Sequence, residues 1–223
     1  MLDKGYNIYS QWGEDGVIEY ITNELGIKNG CCCEFGMEGI LYSNTFNLVK
    51  NKNWSAIYIE CNEKHIKRIE QLENIKIINK KIELYGNNTL DNLLAETTIK
   101  KDFDLLSIDI DGNDYYVWKS LKNYIPKIII IEINPMYKPG VLYTYDERAY
   151  GTSFTSMVKL GISKGYTLVC MTGNLIFVKS ELLKKTKLES YLYNDYNLLF
   201  LDDAIMVNKR EINFRRYMKR NLL

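Results

Sequence analysis

The chain carries one histidine and three prolines in 223 residues, and its 29 basic side chains nearly balance 28 acidic ones. A net charge of +1 falls short of the basic excess that a nucleic-acid footprint requires, so no nucleic-acid partner is expected. No apolar run reaches the roughly 18 residues of a membrane span. The opening segment MLDKGYNIYSQWGED also lacks the apolar stretch of a signal peptide. Together these absences predict a soluble, cytoplasmic protein with no membrane span. The five cysteines fall at 31, 32, 33, 61 and 170, in or beside expected strands. Neighbouring strand residues face opposite ways, so Cys31, Cys32 and Cys33 cannot form a tetrahedral metal cage by themselves. Buried, reduced thiols are expected, and no metal ligand is assigned. The lone histidine, His65, sits in the charged segment NEKHIKRIEQL and reads as a solvated helix position.

What the sequence does contain is a series of nearly continuous apolar runs, at 31–36, 55–60, 75–79, 104–110 and 127–133. Runs that are apolar at almost every position belong to strands buried on both faces of a parallel sheet. Helix-like stretches at 44–52, 62–73, 88–99 and 114–123 alternate with them, and a further helix at 14–25 precedes the first strand. Such alternation predicts an α/β fold, a doubly wound sheet with right-handed crossovers. A helix at about 153–164 then leads to YTLVCMTGNLIFVKS, where Gly173-Asn174 between apolar runs signals a hairpin. The expectation is a single domain over 1–223 with its core at 31–179. Its sheet is mostly parallel and seven-stranded, closed by an antiparallel C-terminal hairpin. The segment 209–223 carries Lys209, Arg210, Arg215, Arg216, Lys219 and Arg220 and reads as a basic helical tail. Its charged face suits solvent, with Ile212, Phe214, Tyr217 and Met218 packed inward, or else a membrane surface or an acidic partner.

Acidic residues stand where four of these strands end: Glu34, Glu60, Asp109 with Asp111, and Glu132. The most telling segment is LLSIDIDGNDYYVW at 105–118, where an apolar strand delivers two aspartates and Gly112 breaks it before a helix. Carboxylates at buried strand ends are costly unless a ligand, metal or proton acceptor uses them. The carboxyl ends of parallel strands form the mouth where ligands bind, so the four groups share one edge. EFGMEG at 34–39 gives that edge a glycine, Gly36, where backbone can approach a ligand closely. The dinucleotide pattern G-x-G-x-x-G is absent, because Glu38 occupies its second glycine position. An acidic mouth favours a cation over a pyrophosphate, and a strand-end acid such as Glu60 suits ribose hydroxyls. S-adenosylmethionine has a sulfonium, an ammonium and a ribose but no phosphate, and it fits that description.

These segments resemble the FkbM-like group of class I S-adenosylmethionine-dependent methyltransferases. The likeness rests on SQWGEDGVIEYI (10–21), EFGMEGILYSNTFNL (34–48), WSAIYIE (54–60), DLLSIDIDGNDYYVWKSL (104–121), PKIIIIEINP (126–135) and SKGYTLVCMTGNLIFVKSEL (163–182). The resemblance implies a Rossmann-like fold and, by analogy, O-methylation of a small polar acceptor: a sugar, a glycan precursor or a phosphorylated metabolite. It further implies that Glu34 and Gly36 line the methionine end of the cofactor and that Asn44 and Thr45 meet its carboxylate. Glu60 would hold the ribose, Asp109 would also contact the cofactor, and Gln11 would close the pocket. Glu38 and Ile40 depart from the class I pattern, which often has glycines there.

On the acceptor side, the segment 134–153 contains Pro135, Pro139, Gly140 and Gly151 and reads as a loop at the ligand edge. Tyr137 and Arg148 within it are candidate contacts for a polar or anionic acceptor, although an ordinary tyrosine-rich surface loop has the same composition. A hydroxyl acceptor must lose a proton, and with no histidine placed to take it Asp111 and Glu132 are the candidate bases. Alternatively, Asp111, Glu132 and Asn134 offer hard oxygen ligands for a magnesium ion, so a divalent cation stays open. DIDGN also resembles the D-x-D-G-T nucleophile loop of haloacid-dehalogenase-type phosphatases. There Asp109 would attack phosphate, Asp111 would act as acid and base, and LDDA at 201–204 would help bind metal. Against that reading, Asn113 replaces the threonine, and that family places its aspartates after the first strand rather than the fourth. A cofactor-binding module without catalysis is the third reading.

Overall fold

Seven strands form one sheet in the computed structural model, which describes residues 1–145, 151–184, 186–192 and 195–200. They are β1 Cys31–Phe35, β2 Ser55–Ile59, β3 Ile75–Ile78, β4 Leu105–Ile108, β5 Ile128–Ile131, β6 Tyr166–Met171 and β7 Leu175–Lys179. Their order across the sheet is β3-β2-β1-β4-β5-β7-β6. β1 to β5 pair in parallel, β7 runs antiparallel to β5, and β6 pairs antiparallel with β7. β7 therefore opposes the direction of the other six. The doubly wound sheet and its C-terminal hairpin stand as expected. Every residue of β4 (LLSI) and β5 (IIII) is buried, as central strands covered on both faces must be.

The helices are α1 Glu14–Glu24, α2 Phe46–Asn51, α3 Glu63–Ile66, α4 Leu90–Ala95, α5 Asp114–Ser120 and α6 Phe154–Ser163. Alternate strand residues serve opposite faces. On one face Cys32, Tyr58, Leu105 and Ile130 pack with Ile18 and Ile21 of α1 and Phe46 of α2. On the other, Cys33, Phe35, Leu106 and Ile129 pack with Leu93 of α4, Trp118 of α5 and Met157 of α6. The three consecutive cysteines are thus split between the two layers. Cys32, Cys33 and Cys170 are buried, Cys31 is half-buried, and all five thiols are free. Cys61 departs from expectation: it is exposed, because it follows β2 beyond the covered part of the strand.

The expected helix over 62–73 shrinks to the single turn of α3. Lys64, Lys67 and Arg68 stand at i, i+3 and i+4 spacing, where like charges oppose a continued helix. Ile69 turns into the core instead. His65 is not simply solvated either, since its Nδ1 lies 3.6 Å from Glu60 Oε2. Among the described residues no helix is long and apolar enough to cross a membrane. The proposed basic tail at 209–223 and the LDDA segment lie outside the described residues.

Trp118 has no solvent exposure, with the rings of Tyr166 and Phe177 at 5.7 and 5.2 Å. Removing so large a buried ring leaves a cavity as well as losing apolar burial. Trp118→Ala is expected to destabilise the fold by about 3–5 kcal/mol in urea unfolding. A loss below about 1 kcal/mol would show that this side chain does not bridge α5 to β7.

Candidate active site

β1, β2, β4 and β5 end at one edge of the sheet, and each brings an acidic residue there. Glu34, near the end of β1, is buried. Its carboxylate accepts from Ser43 Oγ at 2.6 Å, the Asn44 amide at 2.8 Å, Thr45 Oγ1 at 2.6 Å and the Thr45 amide at 3.3 Å. Ser107 of β4 adds a longer contact at 3.4 Å and receives a hydrogen bond from Asn44 Nδ2 at 3.1 Å. Burial pushes the Glu34 carboxyl up, and these hydrogen bonds work against that shift. Asn44 and Thr45 are buried, and their amides are turned on Glu34 rather than outward. The groups that the resemblance reserves for a methionine carboxylate are here occupied by a protein carboxylate.

Gly36 follows with φ +85°, and an added Cβ would lie 1.4 Å from the Asp109 carbonyl oxygen. The close approach expected at this glycine is therefore made by β4's own continuation. On β2's continuation, Glu60 is mostly buried; one carboxylate oxygen accepts from the Asn62 amide at 2.6 Å and the other faces His65.

Beyond β4 and β5, one oxygen each from Asp109, Asp111 and Glu132 lie within 4.8 Å of one another. The Glu132 amide donates to the Ile108 carbonyl at 3.1 Å, which sets Glu132 beside the end of β4. Burial, then the neighbouring carboxylates led by Glu132, raise the Asp109 carboxyl well above its ordinary range. Glu132 is raised by burial and then by the charges of Asp114 and Asp111. A hydrogen bond between Asp109 and Glu132 raises the former and lowers the latter, and the two carboxyls titrate together above their ordinary range. Asp111 is exposed and adopts φ +55°. Asp114, at the start of α5, holds this left-handed turn by accepting from the Ile110 and Gly112 amides at 2.8 and 2.9 Å.

Two segments border the edge. Gln11 is exposed in the segment preceding α1, where Asp15 Oδ2 accepts from the amides of Ile8, Tyr9 and Ser10 at 2.7, 2.8 and 2.9 Å. This segment is tied to the β1–α2 loop by the Tyr42 amide donating to the Tyr9 carbonyl at 2.7 Å. At its other end Thr172, in the β6–β7 turn, donates to Glu14 at 2.8 Å. Gln11 thus lies between two loops of the ligand edge. The loop after β5 returns to the Asp111–Gly112 corner: a Cβ on Gly112 would lie 3.0 Å from the Tyr145 ring. The Tyr116 hydroxyl donates to Thr144 Oγ1 at 3.0 Å and anchors that return. Tyr137 stacks on Tyr143, 4.5 Å between centroids, so its ring serves the loop's own packing. Arg148 lies outside the described residues.

A family profile described as "Methyltransferase FkbM domain" matches residues 86–160, from the approach to α4 into α6 and through both DIDGN and the Glu132 strand end. The strand order, with one antiparallel strand between β5 and the sheet edge, is that of class I methyltransferases. Over residues 86–160 the chain thus matches the FkbM methyltransferase domain, and its sheet has the class I methyltransferase fold. Solved structures similar to it include a SAM dependent methyltransferase from Aquifex aeolicus, at 12% identity over 72% of this chain and 86% of that one, TM-score 0.43. EvdMO1 matches at 15% identity over 78% of this chain and 42% of that one, TM-score 0.42. M. jannaschii TYW2 in complex with AdoMet matches at 16% identity over 77% and 75%, TM-score 0.36. They are distant likenesses. No curated protein sequence matches the chain significantly.

In this fold the phosphatase reading of DIDGN loses its footing. Asp109 and Asp111 follow β4, which lies between β1 and β5 in a methyltransferase strand order. Ser43, Ser107 and Asp114 escaped the sequence reading. Ser107 alone left a signal at its own position, a hydroxyl in the otherwise apolar run LLSI that must find a buried partner.

Burial raises both carboxyls of the Asp109–Glu132 pair, so the folded chain binds protons there more tightly than the unfolded chain does. Stability contributed by this tighter binding is complete below the unfolded values and is lost as pH rises through the raised folded ones. The melting temperature is therefore expected to fall as pH rises from the acidic into the neutral and mildly alkaline range. Asp109→Asn is expected to flatten that slope and to raise the melting temperature at the alkaline end. An unchanged slope in differential scanning calorimetry would show that burial does not raise this pair.

Proposed function

We propose that this chain transfers the methyl group of S-adenosylmethionine to a hydroxyl of a small polar acceptor, such as a sugar, a glycan precursor or a phosphorylated metabolite. The observation that carries the reading is the convergence of Asp109, Asp111 and Glu132 at the edge where β4 and β5 end. Crowded, partly buried carboxyls favour a cationic ligand, and the donor set fits a group with a sulfonium, an ammonium and a ribose. When bound, that cofactor supplies an electrophilic methyl group for in-line displacement by the acceptor oxygen.

The remaining work falls to the chain. Glu60 accepts from the ribose hydroxyls with the oxygen that faces His65. Gly36 and Asp109, in contact through backbone, form the floor between the first loop and the acidic edge. Gln11, on its tied segment, closes the side toward the β6–β7 turn. Glu132 takes the acceptor's proton, with Asp111 the second candidate; both stand on the side that the 134–145 loop covers. Tyr145, at the Gly112 corner, and Tyr137 border the acceptor space, and Arg148 is the proposed contact for an anionic group on the acceptor.

S-adenosylmethionine or S-adenosylhomocysteine is expected to bind in calorimetry and to raise the melting temperature, whereas NAD does neither. Glu60→Ala is expected to weaken S-adenosylhomocysteine by about 2–4 kcal/mol, the value of one or two charge-assisted bonds. No binding of either sulfur nucleoside would end the methyltransferase reading, and an unchanged affinity in Glu60→Ala would move the ribose elsewhere.

A further inference from the structure

We infer that Glu34 is a positioning residue: its carboxylate sets the path of the β1–α2 loop and makes no direct contact with the cofactor. The inference rests on the methyltransferase reading above and departs from the role that the resemblance assigns to this position. A carboxylate has about four lone-pair sites, and Glu34 meets Ser43, the Asn44 amide, both donors of Thr45 and, at longer range, Ser107. With 3% exposure it has neither a free acceptor site nor a path to a ligand ammonium.

What those bonds accomplish is structural reach. Thr45 Oγ1 is also bonded to the Tyr58 hydroxyl of β2, 3.2 Å away. Ser43 Oγ accepts from the Thr45 and Phe46 amides at 3.2 and 3.0 Å, so it caps α2 while donating to Glu34. One carboxylate thereby joins β1, β2, β4 and the start of α2. Between Glu34 and Ser43 the loop passes Gly36, seated on the Asp109 carbonyl, and Tyr42, bonded to the segment that carries Gln11. Fixing residues 43–45 fixes the far end of that loop.

The two roles ask different things of the side chain. Holding an ammonium needs the negative charge; holding the loop needs hydrogen bonds of the right shape. A glutamine can keep its carbonyl oxygen on the Ser43 and Thr45 hydroxyls and the Thr45 amide and turn its amino group to Ser107 Oγ, losing only the bond from the Asn44 amide.

Isothermal titration of S-adenosylhomocysteine, which carries the ammonium, into the full chain separates them. Glu34→Gln is expected to bind within about threefold of wild type, whereas loss of a direct charge-assisted bond costs about tenfold or more. Ser43→Ala leaves the carboxylate in place but removes a loop bond and the cap, and is expected to weaken binding about fivefold and to lower the melting temperature. A tenfold loss in Glu34→Gln, or an unchanged affinity in Ser43→Ala, overturns the inference. If Glu34→Gln does not fold, Ser43→Ala decides it alone. Absence of binding by wild type overturns the methyltransferase reading and this inference with it, whereas binding by wild type with a loss in Glu34→Gln overturns only the latter.

Discussion

Glu34, Asp109, Asp114 and Glu132 all leave water near the ends of β1, β4 and β5, and burial raises every one of them. An isolated ionised carboxylate in such surroundings is too costly to persist, so each must find a substitute for its hydration. Glu34 and Asp114 find it in nearby amides and hydroxyls, and their loops take shape around them. Asp109 and Glu132 lie against each other and titrate together above the ordinary carboxyl range. The same edge thus contains carboxyls satisfied by the fold and carboxyls whose remaining demand is for something positive. That division separates scaffold from the proposed site more sharply than position on the sheet does.

The fold was largely legible because the core strands are apolar on both faces. IIII at 128–131 and LLSI at 105–108 have no polar face to present, so only a doubly covered sheet accommodates them. The hairpin was legible from Gly173-Asn174 between two apolar runs. Helix lengths were less so. Six residues of α4 and four of α3 remain of stretches that read as twice that or more, because weakly amphipathic ends are decided by packing and local charge rather than by pattern.

For the site, sequence placed the acids on one edge but could not say which would be spoken for. Glu34 and Asp109 look alike in a sequence, each ending an apolar run. Only the fold brings Ser107, 73 residues away, and the turn at 43–45 onto the first of them. Asp114 was missed for a different reason. An acid in the first turn of a helix reads as a favourable dipole interaction, whereas here its two oxygens reach back to the amides of Ile110 and Gly112 and hold Asp111 in a left-handed conformation.

Contact between Gly36 and the Asp109 carbonyl couples two parts of the chain that are far apart in sequence. The first loop rests on the backbone of the acidic corner with no side chain between them, so neither can be displaced without displacing the other. For a fold whose chemistry is usually varied by exchanging loops, this makes the two an indivisible module. Among the described residues the loop after β5 meets that corner through the Tyr145 ring at Gly112, with the bond from Tyr116 to Thr144 beside it, and so leaves the module intact when it varies. The turn after β1 and DIDG must be inherited together.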